Sequence, residues 1–191
     1  MAAPAVIDTS CLRLGDTVTS AKGAKSIPIA YADSTPCVWQ PPPMSVLWQP
    51  QAYNDPEATR VNICFSPTPE VSSFVQSFDA WLCTAIAASS QRLLGTQLTV
   101  DDVKARYQSP LKTHEASGAQ ALRVKMNLSG RSAVKCWDTF RKPREQPESW
   151  TSCTVTPRIA IRSVWLMGRD MGCTLELQQA MLERASSECP F

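Results

Sequence analysis

The sequence predicts an α+β domain: a partly open antiparallel β-barrel, one long amphipathic helix packed on it, and an extended proline-rich N-terminal segment. Three observations carry this. Apolar residues recur at three- and four-residue spacing over residues 69–94, which is a helical period. Runs of alternation recur at 60–65, 122–128 and 173–177, which is a strand period. The first 56 residues are punctuated by prolines, notably Pro41-Pro42-Pro43, and proline cannot continue a helix. With 191 residues, 43% of them hydrophobic and 19% charged, the chain suffices for one core. Residues 1–180 are expected to form one domain, with 1–58 as its proline-rich extension and 181–191 as a flexible tail.

In chain order, residues 11–18 and 26–32 each read as a strand. Residues 37–53 must be largely extended, because proline also disfavours the helical conformation in the residue before it. Trp39 and Trp48 flank this stretch, either anchoring it to the body or marking a site for a partner. In residues 60–65, Val61, Ile63 and Phe65 alternate with Arg60, Asn62 and Cys64. Thr68 is placed to cap the helix that follows, with Pro69 in its first turn and Gly95 beyond its end. Its face of Val71, Phe74, Val75, Phe78, Leu82 and Ile86 needs an apolar partner, and a sheet is expected to supply it.

Thr99-Val100-Asp101-Asp102 resembles a capping box with Asp in place of Glu, opening a short helix over 100–107 that stops before Ser109-Pro110. After a loop at 112–118, Leu122, Val124, Met126 and Leu128 point one way, and Arg123, Lys125 and Asn127 the other. Ser129-Gly130-Arg131-Ser132 reads as a turn, so 122–128 and 133–140 are a hairpin candidate. Residues 141–152, with Pro143 and Pro147, are expected to be loop. A strand at 153–167 follows, with Arg158 and Arg162 flanking Ile159 and Ile161, then a turn at 168–172 and a last strand through Cys173, Leu175 and Leu177. Residues 183–191 are expected to be loose.

Charge is distributed unevenly. Residues 104–169 hold thirteen Lys/Arg against four Asp/Glu, a net +9, whereas the remainder carries −7 from six Lys/Arg and thirteen Asp/Glu. Within the basic stretch, Arg123, Lys125, Arg131, Lys135, Arg141, Lys142, Arg144, Arg158 and Arg162 are interspersed with Trp137, Phe140 and Trp150. Cations meet a phosphate backbone and flat aromatic faces stack on unpaired bases, so these twelve residues are the candidate nucleic-acid-binding set. Trp165, within the most apolar strand, is expected in the core.

The usual instruments of catalysis are missing. His114, the single histidine, sits in a polar loop beside Glu115, with no G-x-S-x-G, no phosphate-binding glycine motif and no H-x-E with a downstream C-x-x-C. No enzyme, cofactor or metal is expected. The eight cysteines lie 16 to 53 residues apart without the close pairing of zinc ligands, and read as reduced, mostly buried thiols. No apolar run reaches the ~18 residues of a membrane helix, and the start of the chain lacks the basic-then-apolar order of a secretory signal. A soluble intracellular protein of cytoplasm or nucleus, with no membrane partner, is expected.

Three segments carry a family resemblance: Leu122-Arg123-Val124-Lys125-Met126-Asn127; Lys135-Cys136-Trp137-Asp138; and the run from Pro157 through Arg158, Arg162 and Trp165 to Gly168, with Gly172 and Thr174. Over residues 105–180 the chain resembles the single-stranded DNA-binding proteins of phages and large DNA viruses. The resemblance implies an oligonucleotide/oligosaccharide-binding (OB) barrel that holds single-stranded DNA, with RNA as the less favoured ligand, largely without sequence preference. It also implies a role in replication, recombination or repair. Glu188-Cys189-Pro190-Phe191 resembles the acidic Pro-Phe ends by which bacterial relatives recruit replication partners, although only Glu183 and Glu188 are acidic here. The competing expectation is a non-enzymatic structural or assembly protein, of viral type, whose basic face meets an acidic partner.

Overall fold

Segments that alternate in sequence fold as strands, and the segment of helical period folds as helix. The computed structural model describes residues 7–52, 55, 57–115 and 117–184, and within them the chain is α+β. A short 3-10 turn at Thr9–Cys11 leads into β1 (Leu12–Leu14), β2 (Val18–Thr19), β3 (Lys25–Tyr31), β4 (Cys37–Trp39), β5 (Met44–Gln51) and β6 (Arg60–Phe65). Three helices follow, α1 (Pro69–Ala88), α2 (Ser90–Leu94) and α3 (Val100–Arg106). The rest is β7 (Tyr107–Gln108), β8 (Leu111–Thr113), β9 (Gln120–Asn127), β10 (Lys135–Trp137), β11 (Pro143–Arg144), β12 (Cys153–Met167) and β13 (Asp170–Arg184).

The strand pairings close on themselves. β5 pairs antiparallel with β6, and β6 with β9. β9 lies parallel to β13 through Lys125–Glu176 and Met126–Leu177. β13 is antiparallel to β12 over nearly its whole length, and β12 returns to β5 through Thr154–Ser45 and Val155–Met44. The remaining strands decorate this circuit: β3 and β4 lie along β12, β1 and β2 along β3, β8 along β9, β7 and β10 along β13, and β11 along β10.

One apolar cluster fills the interior. Ile63, Phe65, Leu122, Val124, Met126, Ile159 and Leu177 from the circuit and Leu82 and Ile86 from α1 are fully buried. β6 and β9 contribute alternate residues to it, as a sheet with one buried face does. Trp39 of β4 also lies inside, its ring centroid 4.4 Å from that of Phe74 on α1, which ties the proline-rich stretch to the helix.

The helix starts as expected: Thr68 Oγ1 accepts the Val71 amide at 3.3 Å, with Pro69 in the first turn. The predicted span of 69–94 is two helices rather than one, because Ser89 leaves helical geometry at ψ 10° between α1 and α2. Gly95 ends the second at φ +72°, a conformation cheap only for glycine. The capping box of α3 is complete, with Asp102 N–H donating to Thr99 Oγ1 and Thr99 N–H to Asp102 Oδ2.

Four further expectations are corrected. Residues 1–58 were expected as an extension, yet β5 is a member of the circuit and β3 and β4 flank β12; the three consecutive prolines fall in the β4–β5 connection, where no ladder amide is needed. The hairpin of 122–128 with 133–140 does not form, because β6 and β13 already occupy both edges of β9; β10 pairs instead with β11 and β13. In the polar loop 141–152, Pro143–Arg144 is that partner strand, β11. Of the expected flexible tail, 181–184 belong to β13, with Arg184 paired to Cys153; residues 185–191, including Pro190 and Phe191, lie outside the described residues. No helix among the described residues is long and apolar enough to cross a membrane.

Candidate nucleic-acid interface

Alternation in β6 and β9 builds a charged outer face over the buried one. Leu122, Val124 and Met126 point inward, so Arg123 and Lys125 point out, in register with Cys64 and Asn62 of β6, and Arg60 stands opposite Asn127. Parallel pairing brings Glu176 of β13 beside Lys125. Its carboxylate, with its side chain only 12% exposed, accepts from Arg162 at 3.1 Å and lies 3.7 Å from the Arg60 guanidinium. Burial, reinforced by repulsion from Arg60 and Arg123, holds the Lys125 ammonium below the usual lysine range. One carboxylate thus stands among three cations.

Beyond Arg123 and Lys125 the face deepens into a groove of about 910 Å³. Its sides are the β2–β3 turn with Lys22 and Lys25, the segment 108–112, and the β12–β13 turn at 166–168. Lys22, Lys25, Lys112, Arg123 and Lys125 line it, and no Asp or Glu is among the described lining residues. Trp165 stands in this groove, partly exposed, on the strand pair that matches it with Gly172. A tie from the helix layer holds the second side in place: Asp79 of α1 accepts from Tyr107 Oη and from Ser109 Oγ, each at 2.6 Å.

A second set of candidates gathers where β10 and β11 extend the sheet. Lys135 and Arg158 are both paired to Gln179, from opposite sides, and both are exposed. Trp137, next along β10, is half-buried, with its indole Nε1 buried and without a partner among the described residues. The β10–β11 turn is tightly held. Asp138 Oδ1 accepts the amides of Phe140 and Lys142 at 2.9 and 2.8 Å, and Arg141 adopts φ +61°. Phe140 is 83% exposed at its tip, flanked by exposed Arg141, Lys142 and Arg144. Arg131 is exposed in the turn after β9.

Two tryptophans change places. Trp150, expected as a stacking platform, is 4% exposed and part of the core; Gln49 of β5 holds its loop, accepting the Trp150 amide at 3.1 Å and donating to Ser149 Oγ at 2.8 Å, which turns the indole inward. Trp165, expected in the core, lines the groove instead. The register shift in β12 between Ile161 and Ser163 reverses its alternation, so Val164 is buried and Trp165 faces out.

Sequence reasoning missed Lys22, Lys25 and Lys112 as groove residues and left Trp48, open there as an anchor or a partner site, outside the stacking candidates. Lys22 and Lys25 flank Gly23, which at φ +80° makes the β2–β3 turn, so a lysine-bearing hairpin turn was the available signal. Internal neutralisation of the basic stretch is slight. Of its candidate cations, only Arg162 forms an ion pair with a described acid. Seven described cysteines are unpaired, and burial raises Cys37, Cys83 and Cys136 to about 11.

No protein-family model matches the sequence, and no curated protein does. Among solved structures the chain is similar to the single-stranded DNA-binding protein of bacteriophage Enc34 in a C-terminally truncated form: 10% identity, 90% of this chain and 94% of that chain covered, TM-score 0.50. The same phage protein in complex with single-stranded DNA matches with 11% identity, 88% and 94% coverage, and TM-score 0.49. The likeness of fold to the truncated form spans far more of the chain than residues 105–180, where the sequence itself carries the resemblance.

Proposed function

We propose that this chain binds single-stranded DNA, with its phosphates along Lys22, Lys25, Lys112, Arg123 and Lys125 and an unpaired base against Trp165. The observation that carries this is the groove itself: five cations, an accessible indole and no described acid among its lining residues. Each neutralised phosphate releases counterions, and a stacked base adds ~1–3 kcal/mol without regard to its identity, so affinity comes with little sequence preference.

The circuit β5-β6-β9-β13-β12 fits an OB-like barrel, in which the face of the second and third strands receives oligonucleotides. Here those strands are β6 and β9, the ones that bear Asn62, Arg123 and Lys125. The fold shared with a protein named for single-stranded DNA binding is consistent with that ligand. Lys135, Arg158, Arg131 and the Phe140–Arg144 turn would meet the strand beyond the groove, while Trp150 has no part in it. A role in DNA replication, recombination or repair follows from the ligand and needs no catalytic group.

Titration of labelled oligonucleotides at two salt concentrations tests the proposal. Tight binding at low salt that weakens steeply at higher salt supports it. An absence of binding at low salt overturns it in favour of an assembly protein with an acidic partner.

A further inference from the structure

A second groove, of about 940 Å³, adjoins the first and shares Lys112 and Arg123 with it. It lies between β5, the start of α1 and the loop after β8. The shared pair of cations stands at the junction of the two, so a backbone passing along the first groove is delivered into the second without leaving positive charge.

The second groove has its own aromatic platform. Val46 pairs with Phe65 and Trp48 with Cys64, so Leu47 is an extra residue in β5, a β-bulge opposite the regular strand β6. A bulge breaks the alternation of faces, and two successive large apolar residues, Leu47 at 37% and Trp48 at 54%, are left exposed side by side. Pro67 and Pro69 continue this apolar surface, and no Asp or Glu is among the described lining residues. An exposed indole beside two cations in an acid-free groove suits a base and its phosphate, and the groove's occupant is the continuation of the same strand.

We infer that the second groove is a further subsite for single-stranded nucleic acid, in which Trp48 stacks a base beyond the nucleotides held at Trp165, with Lys112 and Arg123 bridging the two. The assignment rests on the first groove binding nucleic acid, and it predicts that the two subsites separate by ligand length.

The test measures the affinity of the full chain for oligo(dT) of graded length, with the wild type, Trp48→Ala, Trp48→Phe and Trp165→Ala. Trp48→Ala should weaken the longer oligonucleotides by roughly tenfold and leave the shortest that binds unchanged, and Trp48→Phe should restore most of the loss. Trp165→Ala should weaken all lengths. If Trp48→Ala, folded by circular dichroism, binds long oligonucleotides as the wild type does, the second subsite is wrong and the first stands. Equal weakening at every length by Trp48→Ala also overturns it, since both platforms would then serve one site. A wild type that binds no length overturns the parent proposal instead.

Discussion

The indole of Trp165 lies directly over Gly172 on the neighbouring strand. A Cβ at Gly172 would stand 2.7 Å from Trp165 Cζ2 and 2.6 Å from the Gln108 carbonyl oxygen, closer than real Cβ contacts come. The absent side chain is therefore what lets the ring lie on the sheet with β7 beside it. Gly172→Ala must displace the indole or the β7 backbone, and overpacking of this kind costs about 1–3 kcal/mol. Denaturant unfolding should show that loss, and oligonucleotide affinity should fall with it because the stacking surface moves.

Trp150 and Trp165 should respond in opposite ways. Trp165→Ala should cost about 1–3 kcal/mol of oligonucleotide binding with a small effect on stability. Trp150→Ala empties a core site and should cost about 3–5 kcal/mol of stability, while the protein that remains folded binds normally. Unfolding curves and fluorescence titrations on both variants check the pair.

Much of the frame was legible in the sequence because it follows from local period and local capping. β6, β12, the capped starts of α1 and α3, and the outward placement of Arg123 and Lys125 needed only alternation, Thr68 and Thr99. What escaped depends on breaks in period or on distant partners. Trp165 and Trp48 face out because of register shifts in β12 and β5, and each sits in a run of consecutive apolar residues whose facing the local period does not mark. Trp150 is buried because Gln49, a hundred residues away in sequence, holds its loop. Lys22 and Lys25 escaped because they lie outside the basic stretch and reach the groove only through the pairing of β3 with β12.

Lys125 gives the interface a pH dependence. Its ammonium is held below the usual lysine range, so it loses its charge at a lower pH than an ordinary lysine does. Phosphate favours the charged form, and affinity should therefore fall as pH rises through that lowered value, with proton uptake on binding there. Lys125→Arg, which stays charged, should abolish the early loss. Titrations with oligo(dA) across the alkaline range read the difference.

The Asp79–Tyr107 contact should matter for stability first. Burial raises the Asp79 carboxyl above its ordinary value, opposed by hydrogen bonds from Ser109 and Tyr107 and by Lys112. A raised value means that ionised Asp79 disfavours the fold, a penalty present at neutral pH and relieved as pH falls through its value in the folded protein. Tyr107→Phe removes a donor to the charged form and raises the carboxyl further. It should cost about 1–3 kcal/mol near neutral pH and less once Asp79 is protonated. Unfolding at two pH values checks this.

Binding of nucleic acid in the groove is tested most directly by the salt dependence of oligonucleotide affinity for the wild type and for the double variant Arg123→Ala/Lys125→Ala. Each phosphate contact to a single strand contributes about −0.7 to the slope of log affinity against log salt. The wild type should show a steep negative slope, and the double variant should bind more weakly with a slope shallower by about 1.4. A wild-type affinity indifferent to salt, or a folded double variant with the wild-type slope, would contradict the groove as the place where nucleic acid binds.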